Sequence, residues 1–144
     1  MSGFGSGATV SASRSSACPC GGVPPQAPLP DCCGPLVAGE RLADTAESLM
    51  RSRYTAYVVG AADHLFRTWH PRTRTDDAAP DPRVRWSGLD VLDVVAGGPD
   101  DADGVVEFRA HWVSHDDGPV RRGTLHERGR FTRRAGRWVY VDAE

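Results

Sequence analysis

Apolar residues recur with helical periodicity in one segment near the middle of the 144-residue chain. One helix face, with the spacing i, i+3, i+4, i+7, i+8, i+11 and i+12, is made of Ala46, Leu49, Met50, Arg53, Tyr54, Tyr57 and Val58. Asp44 is the predicted N-cap of this helix, Glu47 completes a capping box, and Gly60 is the predicted stop. A second short helix is predicted over residues 61–69 and ends at Pro71.

Downstream of these helices the pattern changes to the two-residue alternation that is typical of strands. In the second predicted strand every other residue, from Val106 through Phe108 and Ala110 to Trp112, is apolar and lies on one face. Glu107 and Arg109 lie on the other face. The first predicted strand is interrupted near Gly88. Four strands are predicted, at residues 84–96, 104–114, 120–133 and 137–142. Helices followed by a four-strand meander predict an α+β domain with helices packed on one face of an antiparallel sheet.

The first 43 residues show neither period. Residues 1–17 have Gly, Ser or Ala at 12 of 17 positions, which predicts a disordered N-terminus because they cannot bury enough apolar surface. Residues 18–43 are rich in proline and predict a small loop-like lobe, and residues 44–144 predict the α+β domain. No signal sequence and no run of about 18 apolar residues is present, so we expect a cytoplasmic protein without a membrane span.

The charge and composition of the chain restrict its partners. The formal net charge is −2, which excludes binding to polyanions driven by an overall basic charge. All 17 basic residues are Arg, while Lys, Asn and Ile are absent, which indicates a GC-rich, bacterial genome rather than selection for phosphate binding. Residues 121–137 nevertheless hold seven Arg and one Glu on a predicted hairpin. Nucleic-acid binding through this hairpin is therefore an alternative hypothesis.

All four cysteines of the chain lie in one short window, as Cys18-x-Cys20 followed by Cys32-Cys33. Four thiolates are the ligand set of a structural tetrahedral Zn²⁺ site, although iron or Cu(I) also suits thiolates. A lobe without its own core would take its folding free energy from such a metal. Disulfides between the two pairs are geometrically allowed but disfavoured in the cytoplasm, and reduced thiols without a role are a third interpretation.

The strings around these cysteines resemble a known motif. The segments Cys18-Pro19-Cys20-Gly21 and Cys32-Cys33-Gly34-Pro35 resemble the SEC-C zinc motif, named for the C-terminal tail of the preprotein-translocase ATPase, where it binds zinc and engages partner proteins. The strings LMRSRY at 49–54, TWHP at 68–71 and ERGRF at 127–131 resemble the YchJ family of small bacterial proteins. This resemblance covers residues 18–142.

The resemblance to the YchJ family has three implications. It implies a domain similar to nuclear transport factor two, which is a cone of curved antiparallel sheet with helices across it. It implies zinc ligation by Cys18, Cys20, Cys32 and Cys33. It implies no particular enzymatic activity. Domains of this fold often pair through the outer face of the sheet, which raises the hypothesis of a homodimer.

The zinc lobe makes a non-enzymatic interaction module the first functional hypothesis, in which the lobe docks a protein or ribosomal partner. The second hypothesis is a small-molecule or enzymatic pocket in the cone, for which the candidates are Arg53, Tyr54, Trp69, His70, Glu107 and Glu127. Plainer roles compete with this one. Arg53 is expected to pair with Glu107 or Glu127 across the core edge, and His70 to cap helix carbonyls.

Overall fold

The structure is a computed structural model, and it describes residues 17–75, 79–115 and 117–144. The segment 1–17, predicted to be disordered, lies outside the described residues except for its last position. The helices are α1 (Gly34–Val37), α2 (Ala46–Val59) and α3 (Ala62–Arg67), with a 3-10 turn at Leu29–Asp31. The strands are β1 (Val84–Ala96), β2 (Asp103–Ser114), β3 (Arg121–Arg134) and β4 (Arg137–Ala143). None of the helices in these ranges is long and apolar enough to cross a membrane.

The four strands form one antiparallel sheet in chain order, β1-β2-β3-β4. This confirms the predicted α+β meander, and every strand boundary lies within one residue of its predicted position. The predicted interruption near Gly88 is a register shift between Trp86 and Gly88, and β1 shifts again between Val91 and Asp93. Such bulges bend the bulged strand and increase its twist, so the sheet curves.

The inner face of the sheet packs against α2. The shared core consists of Ala46, Leu49, Met50, Val106, Phe131 and Trp138, each at most 3% exposed. Three of these come from the predicted helix stripe, and the others lie on β2, β3 and β4. Complete burial of a large apolar side chain contributes about 1.5–3 kcal/mol, so this layer is the main stabilising contact of the domain.

The ends of α2 differ in how well the sequence predicted them. The predicted stop is confirmed, because Gly60 adopts the left-handed conformation with φ of 79°. The predicted N-cap at Asp44 is wrong: Thr45 has extended backbone, and its Oγ1 accepts a hydrogen bond from the Ser48 amide at 3.0 Å. Asp44 instead offers its backbone carbonyl to Trp138 Nε1 at 3.1 Å, so it fastens the start of the helix to β4.

The middle of α2 is buried on more than one side, which the single predicted stripe did not anticipate. Five consecutive residues, 52–56, are all buried, and they include Ser52 and Thr55 with no exposed area. Val58, which the periodicity placed on the buried face, is 39% exposed. The helix is therefore enclosed by the sheet on one side and by the cysteine lobe on another.

We expect the substitution Thr45→Ala to lower the free energy of unfolding by about 1 kcal/mol, because it removes the hydrogen bond to the Ser48 amide. The matched control Asp44→Ala keeps the backbone carbonyl that Trp138 uses and should cost less than about 0.5 kcal/mol. Urea unfolding of both variants measures the difference. A larger loss for Asp44→Ala than for Thr45→Ala would show that Asp44 is the cap.

Candidate metal centre and binding cavity

The four cysteines converge on one point. Their sulfur atoms all lie within 4.8 Å of one another, with Cys20 and Cys32 at 3.6 Å and Cys32 and Cys33 at 4.0 Å. None of the four is in a disulfide. Tetrahedral zinc with Zn–S bonds of about 2.3 Å requires sulfur–sulfur separations of about 3.8 Å. The donor set and its spacing therefore fit one four-coordinate metal ion, and the cluster is a candidate metal site.

The loop that carries the first two cysteines turns sharply enough to bring them to the others. Gly21 and Gly22 have φ angles of 100° and 87°, in the region that favours glycine. A Cβ on Gly22 would lie 2.4 Å from the Ala27 amide nitrogen, so this position has no room for a side chain. The Gly22 amide donates to Cys20 Sγ at 3.4 Å, and the Cys18 amide donates to the Ala27 carbonyl at 2.8 Å.

Burial and the contacts between the thiols shift the pKa values of Cys18, Cys32 and Cys33. Cys18, Cys20 and Cys33 are at most 2% exposed. Hydrogen bonds from Cys20 and Cys33 lower the pKa of the Cys18 thiol, whereas its hydrogen bond to Cys18 raises the pKa of Cys33. Burial raises the pKa of Cys32 to about 11. A bound cation would be needed to hold all four as thiolates.

The groups around the sulfurs come from α2. Thr55 Oγ1 lies 3.6 Å from Cys18 Sγ, and Arg51 Nη1 donates to the Cys20 carbonyl at 2.8 Å. The same guanidinium donates from Nε to Glu47 at 2.8 Å. Side chains that hold a metal ligand in place from the outer layer orient it and tune its affinity. The lobe is therefore attached to the domain through the residues that surround the cluster.

A second candidate site is a cavity of about 300 Å³ between α2 and the inner face of the sheet. Seven of its twelve lining residues are aromatic, among them Tyr54, Trp69, Trp86 and Tyr140. Its charged lining residues are Arg53 and Glu127. A largely apolar cleft with a few convergent polar groups is the usual form of a small-molecule site.

The two charged groups of this cavity do not form the predicted ion pair within the described residues. Arg53 Nη1 donates to the Leu65 carbonyl at 2.9 Å and to Thr68 Oγ1 at 2.7 Å. Its guanidinium also stacks near Trp69 and Tyr140, 5.5 and 5.0 Å from the ring centroids. Neutral oxygens at the end of α3 and two aromatic faces thus take the place of a carboxylate partner.

Two further lining residues, Glu127 and Trp69, differ in how their polar atoms are partnered. Tyr140 donates its hydroxyl to Glu127 Oε2 at 2.9 Å, and burial together with this carboxylate raises the pKa of Tyr140. Trp69 Nε1 is buried and has no hydrogen-bond partner, the one such side-chain atom in the described residues. An unpaired buried donor costs about 1–3 kcal/mol, so Trp69 is held here against a local cost.

The structure brings together some of the predicted pocket residues and separates others. Arg53, Tyr54, Trp69 and Glu127 line the cavity, but His70 and Glu107 do not. Glu107 lies on the outer face of the sheet, where it contacts His126 at 2.6 Å and Arg128 at 3.1 Å. The hydrogen bond from His126 lowers the pKa of Glu107.

The strand register explains why the two glutamates lie on opposite faces. Glu127 on β3 lies directly opposite Phe108 on β2, so both side chains are on the inner face of the sheet. Glu107 is the neighbour of Phe108 along β2, so its side chain is on the outer face. His70 accepts a hydrogen bond from the Arg72 amide at Nδ1, and its own amide donates to the Tyr140 carbonyl. It lies beside β4 and outside the cavity. Tyr140 and Trp86, which sequence reasoning did not single out, are cavity residues.

Three of the seven arginines in the basic stretch 121–137 form hydrogen bonds or ion pairs with other groups of the protein. Arg128 contacts Asp93, Glu107 and Glu144, and Arg130 contacts Asp142. Arg133 donates to backbone carbonyls of the loop before β2, including Pro99 at 2.6 Å. Carboxylates thus neutralise Arg128 and Arg130 of this stretch, whereas Arg133 is bound by neutral carbonyl oxygens.

A buried histidine that the sequence did not reveal lies behind α2. His64 is 4% exposed, and its Nε2 lies 2.9 Å from Ser52 Oγ. Ser52 donates its hydroxyl to the Leu49 carbonyl, so it accepts from Nε2 and leaves His64 Nδ1 as the acceptor for Arg67 at 3.2 Å. Burial lowers the pKa of His64 to about 4, and the charges of Arg67 and Arg53 act in the same direction.

A family model described as the YchJ middle domain, similar to nuclear transport factor two, matches residues 45–143. The chain belongs to the YchJ family. Relatives carry the family designation UPF0225: those of Streptomyces coelicolor and Streptomyces avermitilis are 47% and 45% identical to this chain. Both matches span 88% of this chain, and they span 94% and 83% of the respective relatives. The family predicted from the sequence strings is thereby confirmed.

Two solved structures agree with the fold. The solution structure of a SEC-C motif containing protein from Rhodopseudomonas palustris is 32% identical with a TM-score of 0.74, over 89% of this chain and 97% of that one. The crystal structure of a SEC-C motif containing protein from Psychrobacter arcticus is 27% identical with a TM-score of 0.67, over 88% and 80% of the two chains. The predicted fold, a curved sheet with helices and an N-terminal cysteine lobe, is confirmed.

We expect the stability of this YchJ protein to fall as the pH falls from about 6.5 to about 4, partly because His64 is buried in its neutral form. The unfolded chain binds a proton at His64 in this window and the folded chain does not, so the stability is full above it. In His64→Gln the loss over this window should be smaller, by on the order of 3 kcal/mol. Urea unfolding at several pH values measures it. The exposed control His115→Gln should retain the wild-type profile, and an unchanged profile in His64→Gln would contradict the assignment.

Proposed function

We propose that this protein is a zinc-stabilised interaction module, in which the four cysteines hold one structural Zn²⁺ and the lobe docks a protein or ribosomal partner. The convergence of four buried sulfurs within 4.8 Å is the observation that supports it. All four positions of a tetrahedral ion would be filled by protein, so the metal would serve folding rather than Lewis-acid chemistry.

Several features favour zinc over other thiophilic ions. Zinc takes four thiolates in a tetrahedron without a redox change, and its bonds match the observed sulfur spacing. The two structural neighbours are described as SEC-C motif containing proteins, and the segments around Cys18–Cys20 and Cys32–Cys33 of this chain resemble that motif. Free cysteines at this distance would persist in a reducing compartment, and we propose the cytoplasm.

The proposed docking surface is the exposed loop 23–26, which follows the first pair of cysteines. Val23 is 54% exposed, and it is followed by Pro24, Pro25 and Gln26, which are also exposed. The loop is held in shape because the Gln26 amide donates to the Gly21 carbonyl at 2.9 Å. A rigid apolar loop beside the metal ligands would present a preorganised contact for an apolar segment of a partner protein. Loss of the metal would release that loop.

We expect the wild-type protein, purified without added metal, to contain about one zinc ion per chain. Cys32→Ser should lose the metal, whereas the matched loop variant Val23→Ser should keep it. Elemental analysis measures this, and affinity capture from the host with each variant measures partner binding. A partner that binds wild type directly, after purification, and binds neither variant supports the proposal.

Full zinc content in Cys32→Ser would contradict the ligand assignment. Undiminished binding of the same partner to Val23→Ser would contradict the docking surface while leaving the metal site in place.

We propose a second function for the cone cavity, namely binding of a small aromatic molecule with an anionic or carbonyl acceptor. Arg53, the cationic residue of the lining, favours an acceptor, and the aromatic lining favours a flat apolar body. Glu127 is the one carboxylate among the lining residues, and no histidine lies among them. Binding is therefore better supported than acid–base catalysis.

We expect the aromatic carboxylate 1-naphthoate to bind the wild-type protein, as measured by isothermal titration calorimetry. Ala110→Leu fills part of the cavity from β2 and should weaken binding by about tenfold or more. The control Ala143→Leu, at the exposed end of β4, should bind as wild type does. Equal binding by all three proteins would place the ligand elsewhere and contradict this use of the cavity.

A further inference from the structure

A separate cavity of about 280 Å³ lies where the cysteine lobe meets α3 and β4. Its basic lining residues are Arg41 from the end of the lobe, Arg67 from α3 and Arg137 from β4. Arg41, Arg67 and Arg137 are all exposed residues at the border of this cavity. None of its lining residues, all of which belong to the described ranges, is acidic. Three guanidinium groups thus share one concave space without a compensating charge on its walls.

These arginines differ from the paired arginines elsewhere in the protein. Arg51, Arg83, Arg128 and Arg130 each form an ion pair with a carboxylate. Within residues 17–75, 79–115 and 117–144, no such ion pair is found for Arg41, Arg67 or Arg137. The protein has a net charge of −2, so acidic side chains are not scarce. The three arginines at this cavity thus lack an ion-pair partner, and no acidic residue is among the lining residues.

The Arg67 guanidinium is held in position by the groups around it. Its Nη2 lies 3.2 Å from His64 Nδ1 and 3.4 Å from the Val37 carbonyl. A Cβ on Gly39, where φ is 78°, would lie 3.4 Å from the same nitrogen, so the lobe backbone passes closely over the guanidinium. The buried His64 is fixed in turn by Ser52. Arg67 is thus preorganised, which lowers the entropy cost of binding an anion.

We propose that this cavity binds the phosphoryl group of a small phosphomonoester. Guanidinium groups match the geometry of phosphate oxygens and form charge-assisted hydrogen bonds with them. Three cationic groups suit an ion that carries nearly two negative charges at neutral pH. The remaining wall is apolar, with Leu36, Leu49 and Trp138, and offers a surface for the body of the molecule rather than for a free ion alone. The ligand would contact the lobe, α3 and β4 together.

The test uses the metal-loaded full chain and two probes, inorganic phosphate and phenyl phosphate, in isothermal titration calorimetry at constant ionic strength with chloride as the background anion. We expect phenyl phosphate to bind with a dissociation constant of about 1 mM or tighter. Arg67→Gln should weaken this binding by about tenfold or more, because it removes the preorganised group. Arg137→Gln should weaken the binding of phenyl phosphate as well. Because Arg137 is exposed, its replacement leaves the fold intact, and weaker binding then reports the loss of its guanidinium.

The matched control is Arg121→Gln, which removes the same charge from an exposed position at the start of β3, outside the cavity. It should change the dissociation constant by less than about twofold. Tighter binding of phenyl phosphate than of inorganic phosphate supports a phosphomonoester site. Equal binding of the two probes indicates a free oxyanion site and contradicts the proposed phosphomonoester. Binding of neither probe above the chloride background, or equal weakening in Arg121→Gln and Arg137→Gln, would overturn the proposal.

Discussion

The enclosure of α2 between the sheet and the cysteine lobe is the constraint on which the rest of the structure depends. A helix of 14 residues is only marginally stable by itself in water, and once five consecutive positions are buried, the polar side chains among them need partners that other elements supply. Ser52 is hydrogen-bonded to His64, Thr55 contacts Cys18, and Arg53 donates to the Leu65 carbonyl at the end of α3. Each candidate site of the protein is built on one of these contacts.

The proposed zinc ion and the helix would stabilise each other. The lobe has no core of its own, and its buried sulfurs belong to an apolar cluster that includes Tyr54 from α2 and Ala110 from β2. A metal would keep those sulfurs charged while they are buried, which burial alone opposes. The lobe would then cover the second face of α2 and close the wall beside Arg67. The metal would therefore affect the proposed phosphate-binding cavity as well as the lobe.

The arginines of this protein have different roles according to where each lies in the fold. Arginine is the sole basic residue type here, and most of its excess reflects codon usage. On the outer face of the sheet, Arg128 and Arg130 are neutralised by carboxylates, which turns a basic string of sequence into a solvated surface. Arg53 is buried against aromatic rings, and Arg67 lines a cavity without acidic walls. The same side chain is thus structural in one place and a candidate ligand-binding group in another.

The sequence by itself determined the α+β class, the strand boundaries and the set of four clustered cysteines, because these follow from local periodicity and spacing. Tertiary structure alone decided that Thr45 caps α2, since Asp44 is engaged by Trp138 from the far end of the chain. It also placed Glu127 in the cavity and Glu107 outside it, through the pairing register of β2 with β3. Periodicity describes which residues share a face, whereas the partner that covers each face comes from distant segments, and only their packing identifies it.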